Sequence, residues 1–282
     1  MLRNTFIHLP HIGLSTEQRL WDNDIKSWED ILLEKNDFTK RFSHIKHLLK
    51  LSQLKLKTRD VNFFADRLLS NHHWRLFPEF IKETAYIDIE TTGLVSSSDY
   101  ITTISLYDGI NLRYYIHDRN MDQFKKDISD YKVIITYNGK CFDIPFIERE
   151  FGIKLNHAHL DLRYILRSLG LSGGLKSCEH QLGLNRGGLE GIDGYFAVLL
   201  WKDYLKGNHK ALETLLAYNI EDTMNLEKLM LYSFEKKLKE IPILAPVLRE
   251  GLKNHLRRNE SEIKLPFKPD QNTINRLRKK YY

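Results

Sequence analysis

Four carboxylates in three separate segments are the residues of this chain best suited to chemistry: Asp88 and Glu90, then Asp143, then Asp222, with Tyr218 four positions before the last. The first pair lies in Tyr86-Ile-Asp-Ile-Glu-Thr-Thr-Gly-Leu94, which reads as a strand running into a turn. Alternate strand residues share a face, so Asp88 and Glu90 point together while Ile87 and Ile89 pack on the opposite side. Adjacent carboxylates repel, and burial adds a desolvation cost; a bound cation removes both penalties. An all-oxygen ligand set suits a hard divalent ion. Taken alone, an Asp-x-Glu pair is more often an exposed polar strand face.

The other two segments change that balance. In Ile135-Thr-Tyr-Asn-Gly-Lys-Cys-Phe-Asp143-Ile-Pro-Phe-Ile147, Asp143 follows a strand where a glycine-containing turn opens a helix, with Pro145 in its first turn. Strand ends are where open sheets build sites, although Asp143 by itself reads equally as a helix N-cap. Tyr218 and Asp222 fall on a helix four residues apart and share a face. In isolation they would be a surface pair.

Elements that could position these groups are legible from pattern. Strands are expected at Tyr86–Ile89, Ile101–Tyr107, Leu112–Ile116 and Val133–Thr136, with a short fifth near His159–Leu162; Asp108-Gly109 supplies a hairpin turn. Helices are expected at Met121–Tyr131, Ile144–Phe151, around Leu162–Leu169, at Leu175–Leu182 and at Leu212–Lys237. The fold class is therefore α/β, a mixed sheet flanked by helices behind a small helical N-terminal region. Residues 1–34 read as two short helices, one capped by Ser15 or Thr16 through Glu17–Asn23 and one capped by Ser27. Residues 35–83 form a helical linker arm, with Phe63, Phe64, Leu68 and Leu69 on one apolar face. A domain of strands and helices carrying the four acids is expected over 84–237, and a basic C-terminal helix with a loosely held tail over 238–282.

The chain has 282 residues, 42% hydrophobic and 28% charged, enough for a sizeable core. It lacks the roughly 18 uninterrupted apolar residues of a membrane helix and the pattern of a signal peptide, which predicts no membrane partner and a cytoplasmic location. Cys141 and Cys178 have no zinc-like spacing. The net charge of +6 is uneven: from Arg249 onward there are ten Lys/Arg against four acids, and Lys35–Asp60 carries eight basic residues against two acidic ones. Such patches suit a polyanion through counterion release, and equally a solvated surface.

Together the three acidic segments resemble the DEDD superfamily of 3′–5′ exonucleases, which has a ribonuclease-H-like fold. The resemblance rests on D-x-E-T-T-G-L, N-G-x-x-F-D-x-P-F and Y-x-x-x-D in that order, across about 84–232. The tyrosine subclass is indicated, because Tyr218 stands four before Asp222 and Ala217 occupies the position that a histidine subclass would need. The resemblance implies two Mg²⁺ or Mn²⁺ ions, with Asp88 bridging, Glu90 and Asp222 completing one site and Asp143 holding the second. Tyr218 would orient the attacking water. Thr92, Leu94, Asn138 and Lys140 would contact the terminal nucleotide. The product would be a nucleoside 5′-monophosphate.

Trp74–Phe80, Gly173–Lys176 and Glu190–Gly194 also resemble a less studied bacterial and archaeal set of ribonuclease-H-like exonucleases. At the N-terminus, residues 6–25 resemble a degenerate helix-hairpin-helix that keeps Gly13 for phosphate contact but has His11 in place of the first hairpin glycine. That motif favours DNA over RNA as substrate and makes a repair role, with a helicase or other repair partner, an open expectation. The alternatives are an RNA 3′ exonuclease and a catalytically idle nucleic-acid-binding module.

Overall fold

Residues 84–116 are rich in β-branched and aromatic residues, interrupted once by a Gly- and Ser-containing stretch after Glu90 and once at Asp108-Gly109; they fold as three successive strands. The computed structural model describes residues 1–94, 96, 98–241 and 265–281. The strands are β1 (Thr84–Thr91), β2 (Ile101–Tyr107), β3 (Leu112–Ile116), β4 (Val133–Thr136) and β5 (Ala158–Asp161). They form one mixed sheet in the order β3-β2-β1-β4-β5. The β1–β2 and β2–β3 pairs are antiparallel, and β4 joins β1 and β5 in parallel. The hairpin between β2 and β3 is closed by Asp108, whose Oδ1 accepts the N–H groups of Ile110 and Asn111.

Ahead of the sheet lie α1 (Leu14–Asp22), α2 (Trp28–Leu32), α3 (Asp37–Lys40), α4 (Lys46–Lys57), α5 (Val61–Ala65) and α6 (Phe77–Phe80). After β3 come α7 (Met121–Ile128), α8 (Asp143–Phe151), α9 (Leu162–Arg167), α10 (Leu175–Gln181), α11 (Gly194–Tyr204) and α12 (His209–Leu238). On one face of the sheet, Ile87, Ile89, Ile104 and Leu106 pack with Phe124 of α7 and with Phe146 and Ile147 of α8. On the other, Tyr86, Val133, Ile135 and Leu160 pack with the C-terminal half of α12 and with the N-terminal region, including Trp28, Phe64 and Trp74. Residues 1–83 thus share a core with the sheet. No helix among the described residues is long and apolar enough to cross a membrane.

Several local expectations shift. Gly13, not Ser15 or Thr16, stands at the N-cap of α1, whereas Ser27 caps α2 through a capping box with Asp30. Of the expected apolar face in the linker arm, Phe63, Phe64 and Leu68 are buried but Leu69 is 72% exposed. Within the expected tail, Gln271–Tyr281 is a helix that buries Ile274 and Leu277 against α11 and α12. The helix expected just after Ile241, with Arg249, Lys253, Arg257, Arg258 and Lys264, lies outside the described residues.

His8 ties the N-terminal region to α4 and α5. Its Nε2 lies 2.9 Å from Ser52 Oγ, and its ring packs between Trp28 and Phe64. Burial, aided by the Arg67 charge, pushes its pKa from 6.5 down to about 3. The folded state therefore binds fewer protons than the unfolded chain below pH 6.5, and stability falls as pH drops from there towards 3. His8→Phe is expected to remove that loss. Its melting temperature should gain on the wild type between about pH 7.5 and about pH 5, and a difference independent of pH would refute the assignment.

Candidate active site

Asp88 and Glu90 lie on the face of β1 that α12 crosses, and α12 carries Tyr218, Asn219 and Asp222 down onto it. Ligand oxygens of Asp88, Glu90 and Asp222 all come within 4.8 Å of one another. A register shift between Glu90 and Thr91 ends the regular pairing with β2, which lets the chain turn away towards Leu94. Asn219 fixes the first acid: its Nδ2 donates to Asp88 Oδ2 at 2.7 Å and to Asp88 O at 3.1 Å, while Ser105 Oγ donates to Asn219 Oδ1 at 2.7 Å.

Asp143 is the first residue of α8, buried, and it lines the same cleft without joining the three-carboxylate group. The turn that delivers it is held by Asp161 at the end of β5, whose carboxylate accepts the N–H groups of Asn138 and Lys140. Gly139 donates its N–H to Thr136 Oγ1 at 3.0 Å, and a Cβ at 139 would come within 2.1 Å of that oxygen. Only glycine fits there.

Two cations sit against the acids. Arg186 is buried and bridges Glu179, at 2.6 Å, and Asp222 Oδ1. Asn225 Nδ2 donates to the other oxygen of Glu179 at 2.7 Å. Lys176 donates to Ile192 O, and its Nζ lies 4.6 Å from the ring centroid of Tyr218, with the Arg186 guanidinium carbon 5.2 Å from the same centroid. Burial first, then repulsion from Asp222, holds Asp88 and Glu90 well above the carboxylate range. Burial pushes Asp143 up to about 7 and Asp222 up to about 6, the latter restrained by Arg186. Burial and the carboxylates also raise the Tyr218 phenol well above its ordinary value.

The cleft, about 470 Å³, is also lined by Thr92, Leu94, Asn138, Tyr195 and Lys202. Lys140, expected beside them, turns away: its Nζ bonds Ser70 Oγ at 2.8 Å and stands over the Tyr164 ring. Gly13 lies at the start of α1 and does not line the cleft. Sequence reasoning assigned no role to Asn219, Glu179 or Arg186. Asn219 carried a signal, being one turn from Asp222 on the same helix; Arg186 carried none. The donor set of crowded carboxylates without thiol or imidazole suits a hard divalent cation, because such an ion relieves both burial and repulsion.

An antiparallel three-strand meander extended by two parallel strands carries its carboxylates on the central strand, facing a long helix, and so defines a mixed α/β fold with an acidic cleft at the middle of its sheet. Residues 85–233 match the RNase_H superfamily model RNase_H_2, and the chain belongs to that superfamily. Among solved structures it is similar to the family B DNA polymerase from the hyperthermophilic archaeon Pyrobaculum calidifontis, with 18% identity and a TM-score of 0.43. That similarity covers 54% of this chain and a quarter (25%) of the polymerase chain. No curated protein matches this chain.

Proposed function

We propose that the chain is a divalent-metal-dependent 3′–5′ exonuclease of the DEDD tyrosine subclass, releasing nucleoside 5′-monophosphates, with DNA preferred. The observation that carries this reading is the meeting of Asp88, Glu90 and Asp222 within 4.8 Å in a cleft that Asp143 and Tyr218 also line. Asp88, Glu90 and Asp222, with Asp143 beside them, would hold the Mg²⁺ or Mn²⁺ ions. When bound, such ions supply Lewis-acid activation of water and stabilise the leaving 3′ oxygen. Asn219 keeps Asp88 oriented, and Arg186 leaves Asp222 Oδ2 free to coordinate by engaging Oδ1. Thr92, Leu94 and Asn138 would contact the terminal nucleotide. Preference for DNA is supported by the hairpin-like N-terminus, where His11 takes the left-handed φ of 64° usual for glycine and Gly13 opens α1.

Cleavage of 3′- and 5′-labelled single- and double-stranded DNA and RNA with Mg²⁺, Mn²⁺ or EDTA tests the whole proposal. Mononucleotides released from the 3′ end only with metal are expected. Binding without cleavage would favour the idle-module alternative, and preferential cleavage of RNA the ribonuclease one.

Tyr218 has a positioning task in this scheme. A phenol held above its ordinary pKa is a poor general base near neutrality, and its hydroxyl has no hydrogen-bond partner among the described residues. It is thus available to align water. Tyr218→Phe should keep metal and strand binding but slow single-turnover cleavage by roughly 10²-fold, the scale of lost alignment. A wild-type single-turnover rate would make the residue packing alone.

A further inference from the structure

The sequence places its positive patches at Lys35–Asp60 and at the C-terminus, and among the described residues five cations of the first patch and one of the second are paired with acids. Lys35, Lys40, Lys46, Lys55 and Arg59 are in ion pairs. Arg276 pairs with Asp203, and Arg278 donates to Glu190 O. Cations without a carboxylate partner also occur beside the candidate active site. Arg163 and Arg167 lie on the exposed face of α9, and neither has an ion-pair partner among the described residues. They are four residues apart on a helix, so their side chains emerge about 5–6 Å from one another on one face.

Both line a groove of about 510 Å³ whose other walls include Tyr137, Asn138, Ser172 and Gly174. Tyr137 and Asn138 also line the carboxylate cleft, so the two depressions adjoin at the end of β4. Asn138 is fixed at this junction: its N–H donates to Asp161 Oδ1 at 2.8 Å, and its Oδ1 accepts from Arg163 at 2.5 Å. Asp161, at the end of β5, is buried, and its oxygens accept N–H groups of Asn138, Lys140 and Arg163. The groove therefore offers two guanidinium groups, a serine and the half-buried ring of Tyr137, and no carboxylate is among the residues that line it.

We infer that this groove binds the phosphodiester backbone of the strand behind the nucleotide that enters the carboxylate cleft, with Arg163 and Arg167 on successive phosphates. The inference rests on the proposed nuclease reading for its direction. A strand whose end reaches the acids must leave past an adjoining surface, and like-charged phosphates are repelled by the acids but attracted here. Guanidinium groups suit phosphate oxygens because their planar donors bind two at once. The ligand class is a single strand at least a few nucleotides long, beyond what a mononucleotide site alone would hold.

The test compares fluorescein-labelled dT2, dT4 and dT12 by anisotropy in an Asp88→Asn background with Mg²⁺, with and without Arg163→Ala and Arg167→Ala. Thermal melting checks that the exposed substitutions leave the fold intact. The double substitution is expected to weaken dT12 binding by about tenfold or more, to affect dT2 far less, and to lower the salt slope by about 0.7 for each phosphate no longer neutralised. Arg→Lys at both positions should restore the salt slope. Unchanged dT12 affinity overturns the inference. So does an equal weakening for dT2 and dT12, because it would place both arginines at the terminal nucleotide or at a free phosphate. Failure of the unsubstituted chain to cut dT12 with Mn²⁺ sinks the nuclease reading while leaving the binding comparison, repeated on that chain, decisive for the groove.

Discussion

Asp88→Asn is expected to reduce metal-dependent cleavage by about 10³-fold or more, since losing a ligand forfeits several kcal/mol of transition-state stabilisation. The same substitution should leave the fold intact, because Asn219 can still hydrogen-bond an amide oxygen at position 88. Crowding of the acids adds a second expected result. In EDTA, Glu90→Gln should melt above the wild type, since it removes one of three carboxylates crowded within 4.8 Å of each other. Mn²⁺ should then raise the melting temperature of the wild type and have a much smaller effect on either variant. Asp222→Asn is a less clean probe, because it also leaves Arg186 with Glu179 as its single carboxylate partner. An active Asp88→Asn chain, or full activity in EDTA, would remove the metal assignment; an unchanged melting temperature in Mn²⁺ would remove the ligand set.

Legibility in the sequence followed how local each constraint was. β2, β3 and β4 begin and end where alternation and turn residues place them, because their pattern and punctuation are both local. The carboxylates were legible for the same reason: a period of two on β1 and four-residue spacing on α12 each set a shared face. Helix α11 went unread. Phe196, Ala197, Leu199, Leu200 and Trp201 are all buried in it, a nearly unbroken apolar run with no 3.6-residue contrast to reveal it. It supplies Tyr195 and Lys202 to the cleft. Arg186 was equally invisible, since its meaning arises from meeting Asp222 and Glu179 across 36 and 7 residues of sequence. Lys140 shows what spacing alone does not convey: adjacency to a motif suggested a nucleotide contact, and the turn fixed by Asp161 places its Nζ against Ser70.

Arg75→Ala is expected to be among the most damaging substitutions outside the cleft, costing about 3–5 kcal/mol. Arg75 and Glu17 form an ion pair whose side chains are 2% and 1% exposed, with Arg75 Nη1 2.8 Å from each Glu17 oxygen. Glu17 Oε1 also accepts the N–H of Phe6 at 2.7 Å. One carboxylate therefore ties α1, the segment before it and the turn preceding α6. Removing only the cation strands a buried anion, whose desolvation cost is no longer offset. Pairing Glu17→Gln with Arg75→Met should recover much of the stability: the amide oxygen still accepts from Phe6, the methionine fills the volume of the arginine stem, and no charge stays buried. Thermal melting of the two single variants and the double separates these contributions. If the double is as unstable as the sum of the singles, the pair contributes through packing rather than charge. If it recovers, the hairpin-like N-terminus is joined to the sheet by a charge pair inside a shared core. Residues 1–34 then could not be deleted as a free arm to test DNA binding, because Leu20, Trp28 and Ile31 would leave that core with them.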